Sequence, residues 1–222
     1  MKLVRRAAAE LVGTAFLVAT VIGSGVAAVR LSDDVGIQLL VNSVATGAAL
    51  VALILALQPV SASFNPVVTL VEAALGGVPV REVPVLLVAQ VVGGVLGAVA
   101  ANLMFGLDAV SISSTDRLGG GRLLAEVVAT LGLVLVVFGC LRGGGVDRVA
   151  YAVGGYITAA YWFTSSTSFA NPAVTIARML SDTFAGIAPG SVPAYLLMQV
   201  VGGAVAAGLV LLLFPHEERA LT

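Results

Sequence analysis

The chain has 222 residues, 59% of them hydrophobic, 10% charged and 6% aromatic. A water-facing domain carries about 25% charged residues, so this composition excludes a soluble globule and points to a polytopic all-α membrane protein. Eleven Lys and Arg against twelve Asp and Glu leave a net charge of −1, without the basic excess of a nucleic-acid-binding chain.

Six apolar runs follow one another along the chain, at 8–29, 37–57, 85–106, 122–141, 149–164 and 193–214, and each is predicted to span the bilayer. Polar or glycine-rich punctuation separates them: Arg30 to Asp34, Arg81-Glu82, Asp108 to Arg122, and Arg142 to Arg148. Lys2, Arg5 and Arg6 precede the first run, but it is too long for the apolar core of a signal peptide and five more runs follow. Two further stretches, 60–76 and 166–187, are too short and too interrupted to cross. They contain Ser63-Phe64-Asn65-Pro66 and Phe169-Ala170-Asn171-Pro172. Asn caps free amides and Pro at the first helical position loses no needed donor, so both read as half-helices that begin inside the membrane.

The pattern repeats. Glu10-Leu11-Val12-Gly13-Thr14 returns as Glu126-Val127-Val128-Ala129-Thr130, and Gln90-Val91-Val92-Gly93-Gly94 as Gln199-Val200-Val201-Gly202-Gly203. With the Asn-Pro pair, three anchors keep their order in both copies, giving one channel domain over 1–222 built from repeats 1–110 and 120–222. Each copy holds three spans, an odd number, so the second enters the bilayer inverted and the two half-helices can meet near the midplane. There each N-terminus contributes about half a positive charge, and Asn65 and Asn171 can turn amide donors toward a lumen. Such a constriction disfavours cations and offers hydrogen bonds to neutral molecules. The basic residues favour a cytoplasmic N-terminus: Lys2, Arg5, Arg6, Arg81, Arg142, Arg148 and Arg219 would lie inside, against Arg30, Arg117, Arg122 and Arg178 outside.

Asn65-Pro66-Val67 and Asn171-Pro172-Ala173, 106 residues apart in matching repeats, resemble the paired signature of the aquaporin (major intrinsic protein) family. The resemblance implies a right-handed bundle of six spans and two re-entrant half-helices. It also implies a homotetramer of independently conducting monomers in the inner (plasma) membrane, both termini cytoplasmic, and passive flow of water or small uncharged solutes. Val67 in place of Ala leaves the Asn donor intact. The larger departure is Val174, where family water channels place an Arg. Arg178 lies one turn later, on the same helix face. That would let it approach the lumen wall, although the added turn also moves it toward the extracellular loop. Gap-free counting back from the Asn residues puts the other filter positions at Ala45 (or Thr46), Ala159 and Ser168. A filter of Ala, Ala, Ser and Val is wide and weakly polar. It resembles that of a bacterial subgroup associated with trivalent arsenic efflux, and undissociated arsenous acid is a neutral molecule of about glycerol size.

Other residues admit two readings. Glu10 and Glu126 inside spans could be proton carriers of a coupled inverted-repeat transporter; the duplication favours structural carboxylates that accept amide bonds from the chain entering each half-helix. Gly93, Gly94, Gly97, Gly202, Gly203 and Gly208 suit close helix crossing. Cys140 reads as a small hydrophobe rather than a soft arsenic ligand; being the lone cysteine, it excludes an intrachain disulfide. His216 reads as a solvated tail residue. Of Ser165, Ser166, Thr167 and Ser168, only Ser168 has a positional argument for the vestibule. Tyr161 and Trp162 are expected in an interfacial aromatic belt. No nucleophile–base pair, phosphate loop or metal-ligand spacing is present, so neither an enzyme nor a cofactor is expected.

Overall fold

The computed structural model describes residues 2–215. Among them are eight α-helices: α1 (Lys2–Leu31), α2 (Val35–Leu57), α3 (Pro66–Ala74), α4 (Val83–Met104), α5 (Gly120–Arg142), α6 (Val146–Phe163), α7 (Pro172–Arg178) and α8 (Val192–Leu213). Five of the long helices, α1, α2, α4, α5 and α8, are long and apolar enough to cross a membrane. The sixth, α6, has 18 residues and opens with Asp147 and Arg148, yet it packs lengthwise against α2 and α5. His216 lies outside the described residues.

Local chemistry fixes the helix starts. Asp34 caps α2 by accepting from the amides of Gly36 and Ile37. Asn65 and Asn171 do the same for α3 and α7, each followed by Pro at the first helical position. Short 3₁₀ turns, Val80–Glu82 and Pro189–Ser191, lead into α4 and α8. Of the two interrupted stretches, only 66–74 and 172–178 become helix; 179–188 returns as irregular chain.

Ends of helices reveal the inversion. Arg6 in the first turns of α1 pairs with Glu82 just before α4 at 2.7 Å, while Arg30 at the end of α1 donates to the Phe105 carbonyl after α4. So α1 and α4 run parallel, and we term the end where they begin the near face. Arg142 at the end of α5 donates to the Phe214 carbonyl after α8, so those two are parallel as well. The loop that precedes α5 sits with the residues following α7, at the far face: Ser111 and Ser113 amides donate to the carbonyls of Leu180 and Met179. The second set of helices therefore runs opposite to the first.

Close approach is bought with glycine. A Cβ on Gly93 or Gly97 of α4 would collide with the α1 backbone at Leu11 or Ala15, and one on Gly202 of α8 with the Val127 carbonyl of α5. Gly203 faces Val67 of α3 and Gly94 faces Ala173 of α7, so each half-helix docks on the third span of the opposite repeat. Gly208 differs from this set, because a Cβ there meets open space. Cys140 is half-buried against the core.

Candidate functional site

The site grows from two carboxylates. Glu10, fully buried in α1, accepts from Ser61 Oγ, the amides of Ser63 and Phe64, and Gln90 Nε2. Glu126 in α5 accepts from the amides of Phe169 and Ala170 and from Gln199 Nε2. Gln90 also donates to Thr69 and Gln199 to Thr175, each at 2.9 Å, tying third span, half-helix and carboxylate together. A buried charge is tolerable only when its lone pairs are this fully engaged. Neither carboxylate belongs to the cavity wall described below.

Held by these amides, the chain turns sharply before each half-helix. Phe64 and Ala170 adopt positive φ, +48° and +46°, which for residues with a Cβ costs roughly 1–3 kcal/mol. The turn aims the carbonyl of each residue across the midline. Asn65 Nδ2 donates to the Ala170 carbonyl and Asn171 Nδ2 to the Phe64 carbonyl, both at 2.7 Å. The Oδ1 atoms face inward to their own helices, Asn65 accepting from Val67 N and Asn171 from Ala173 N and Val174 N. Each amide thus spends one N–H on the opposite half and has one left. Pro66, Val67, Pro172 and Ala173 are buried as the first turns of the two helices.

Between these tips runs a cavity of about 260 Å³. Its wall begins at Arg6, Gln58 and Glu72 near one face, passes Asn65, Val68 and Asn171, and continues to Thr46, Tyr161, Ser168, Val174 and Arg178 toward the other. Leu17, Val21, Leu50, Leu133, Val137, Val153 and Ile157 supply an apolar lining. The half-helices therefore meet around a passage.

One filter position counted from the sequence falls elsewhere, and of the two residues offered for another, Ala45 or Thr46, the second lines the cavity. Ala159 is exposed on the outside of α6, and the cavity is reached instead by Tyr161, which is 4% exposed. Ala45 is half-buried and off the wall, which is taken by its neighbour Thr46. The reason is geometric: one residue turns a helix face by about 100°, so a count that is off by one or two points the side chain into lipid. Tyr161 consequently leaves the expected aromatic belt, since its hydroxyl lies 3.2 Å from that of Thr46 in the interior. Trp162 does sit on the outer surface, donating to Ser43 Oγ. The inward stripe Val153–Ile157–Tyr161 at helical spacing was the available signal for Tyr161. Ser168 and Val174 lie where the count put them, and the Ser168 hydroxyl is buried with no partner among the described residues. Ser165, by contrast, is exposed, and Ser166 Oγ is used by the Ser168 amide.

Arg178 ends α7 pointing inward. It is 2% exposed, donates from Nε to the Ala185 carbonyl, and sits over Phe169 with 3.4 Å between guanidinium carbon and ring centroid. Arg117 approaches the same ring at 5.1 Å, anchored by the carbonyls of Gly186 and Phe184. Burial pushes the Arg117 guanidinium below its ordinary value. The one ion pair among the described residues, Arg6–Glu82, lies at the other face. No cluster of metal-ligating side chains occurs among the described residues.

The profile described as Major intrinsic protein matches residues 1–144 and 141–222. "Aquaglyceroporin AqpS" of Rhizobium meliloti is 45% identical over 208 residues, covering 93% of this chain and 89% of that protein. "Probable aquaporin AqpM" of Archaeoglobus fulgidus is 29% identical over 243 residues, covering 94% and 96%. Among solved structures, the aquaglyceroporin from Plasmodium falciparum superposes with a TM-score of 0.73 at 18% identity, covering 93% of this chain and 95% of the other.

Proposed function

The chain belongs to the major intrinsic protein family, and from that premise we propose a passive, multi-pass membrane channel for water and small uncharged solutes of glycerol size. The family is one of channels rather than enzymes. Behind the glycerol-size range is Val174 in the far wall, a short apolar side chain across from the hydroxyl-bearing Thr46 and Tyr161. Hydroxyls both donate and accept, so they match a polyol or undissociated arsenous acid without demanding a charge. Asn65 and Asn171 each hold a free N–H at the centre, and a molecule passing there accepts from both. Water so oriented donates away from the centre on both sides, which interrupts a proton wire.

The near face would be cytoplasmic, since Arg5, Arg6, Arg81, Arg142 and Arg148 gather there; Arg219 lies outside the described residues. In a bacterial setting the membrane would be the plasma membrane, and the assembly a homotetramer with one path per monomer.

Stopped-flow light scattering on proteoliposomes tests this reading. Glycerol and arsenous acid gradients are expected to give solute-dependent volume recovery beyond that of empty vesicles; shrinkage without recovery would overturn the wide channel. That same outcome with fast water flow would favour a second reading, a narrow water channel closed down by Arg178, whose place in the cavity wall is the observation behind it. A proton-coupled transporter using Glu10 or Glu126 is disfavoured because both carboxylates are saturated with donors and lie off the path.

A further inference from the structure

Resting on the channel reading, we propose that charge and width are set by different residues here: Arg178 is the cation barrier, acting one helical turn beyond Val174, which leaves the passage wide. Arg178 is buried yet lines the same cavity as Ser168 and Val174. Of its N–H groups only Nε finds a protein acceptor among the described residues, and that acceptor is a neutral carbonyl. Its other close neighbour is a ring face, which holds the guanidinium plane but does not cancel its charge. A second cation, Arg117, approaches the same ring. The carboxylate behind the ring, Glu126, is spent on the amides of Phe169 and Ala170 and on Gln199 and makes no ion pair with Arg178. A guanidinium without a direct carboxylate partner in a weakly screened interior repels an approaching cation far more strongly than it would in water.

The opposite end of the path underlines the point. The repeat relation that carries Asn65 onto Asn171 carries Glu72 onto Arg178, and Glu72 also lines the cavity, at the near face. One repeat thus carries an acid near the end of its half-helix and the other a base, so the two mouths differ in charge although the scaffold repeats. A neutral solute ignores this field and responds to width alone, which Val174 sets. Swapping the positive charge out should therefore shift the channel's selectivity from neutral molecules toward cations.

Urea and guanidinium, near-equal in size and differing in charge, separate the two effects. In proteoliposomes the unmodified protein is expected to pass urea and glycerol and to hold labelled guanidinium at the rate of empty vesicles. Arg178→Gln should raise the ratio of guanidinium to urea entry by about ten-fold or more, and Arg178→Lys should restore the original ratio. Arg178→Met, which retains packing on Phe169, serves if the Gln variant does not assemble. Guanidinium entering the unmodified channel as fast as urea would overturn the proposal, as would intact exclusion in a neutral variant that still passes glycerol. Failure of the unmodified protein to pass either urea or glycerol would instead overturn the wide-channel reading on which the proposal rests.

Discussion

The two half-helices are built alike and finish differently. Each is entered through a residue at positive φ, capped by Asn, started by Pro, and braced by a buried Glu–Gln–Thr chain. At their far ends the likeness stops: α3 runs from Asn65 to Glu72 and beyond to a half-exposed close, while α7 stops at Arg178, sealed under the 105–119 loop. The likeness is confined to what builds the turn at the centre, and the differences fall where a solute enters or leaves. Duplication supplied the scaffold twice, and the mouths then diverged.

The harshest way to break that likeness is to remove the carboxylates. Glu10→Ala strands four donors and Glu126→Ala three, so each should cost on the order of 3–5 kcal/mol, with Glu10 the worse. Thermal unfolding in detergent reads this as a large fall in Tm, and equal small falls for both would show that the cradles do not hold the turns. A second substitution addresses width. Val174→Arg should cut glycerol flux by about ten-fold or more while water flux persists, because a long cation would now fill the far wall. Unchanged glycerol flux would mean the narrowest point lies elsewhere, with the repeat-equivalent Val68 the next position to test.

The smallest effect concerns the far loop and its pH response. The Leu118 amide, then the Ser191 hydroxyl, hold the Asp116 carboxyl below the usual carboxylate range. A depressed folded pKa adds stability above the unfolded value of about 3.9 and forfeits it as pH falls through the folded one. The Tm gap between the unmodified protein and Asp116→Asn should therefore be constant between about pH 5 and 8 and close only below about pH 4. Divergence that grows toward alkaline pH would contradict the assignment.

Much of this was legible in the chain itself. Helix ranges follow from uncharged length, and the turns from Asn-Pro, because capping is a local transaction between neighbours in sequence. Glu10 and Glu126 could be placed from the repeat alone. Ala159 could not stand, and Ala45 gives way to Thr46, since counting along a chain fixes position but not azimuth, and azimuth decides between lumen and lipid. The burial of Arg178 depends on Phe169, Ala185 and a loop from the other repeat, none of which is adjacent in sequence. Yet the same 106-residue offset that aligns the Asn pair also sets Arg178 opposite Glu72, a correspondence available before any coordinates.

The reciprocal bonds from Asn65 to the Ala170 carbonyl and from Asn171 to the Phe64 carbonyl make the two repeats depend on each other. Either repeat by itself would leave its Asn amide and its upturned carbonyl without the partner that fixes them. A single repeat would therefore be complete only beside an antiparallel copy of itself, each finishing the other, and one continuous chain makes that handshake permanent.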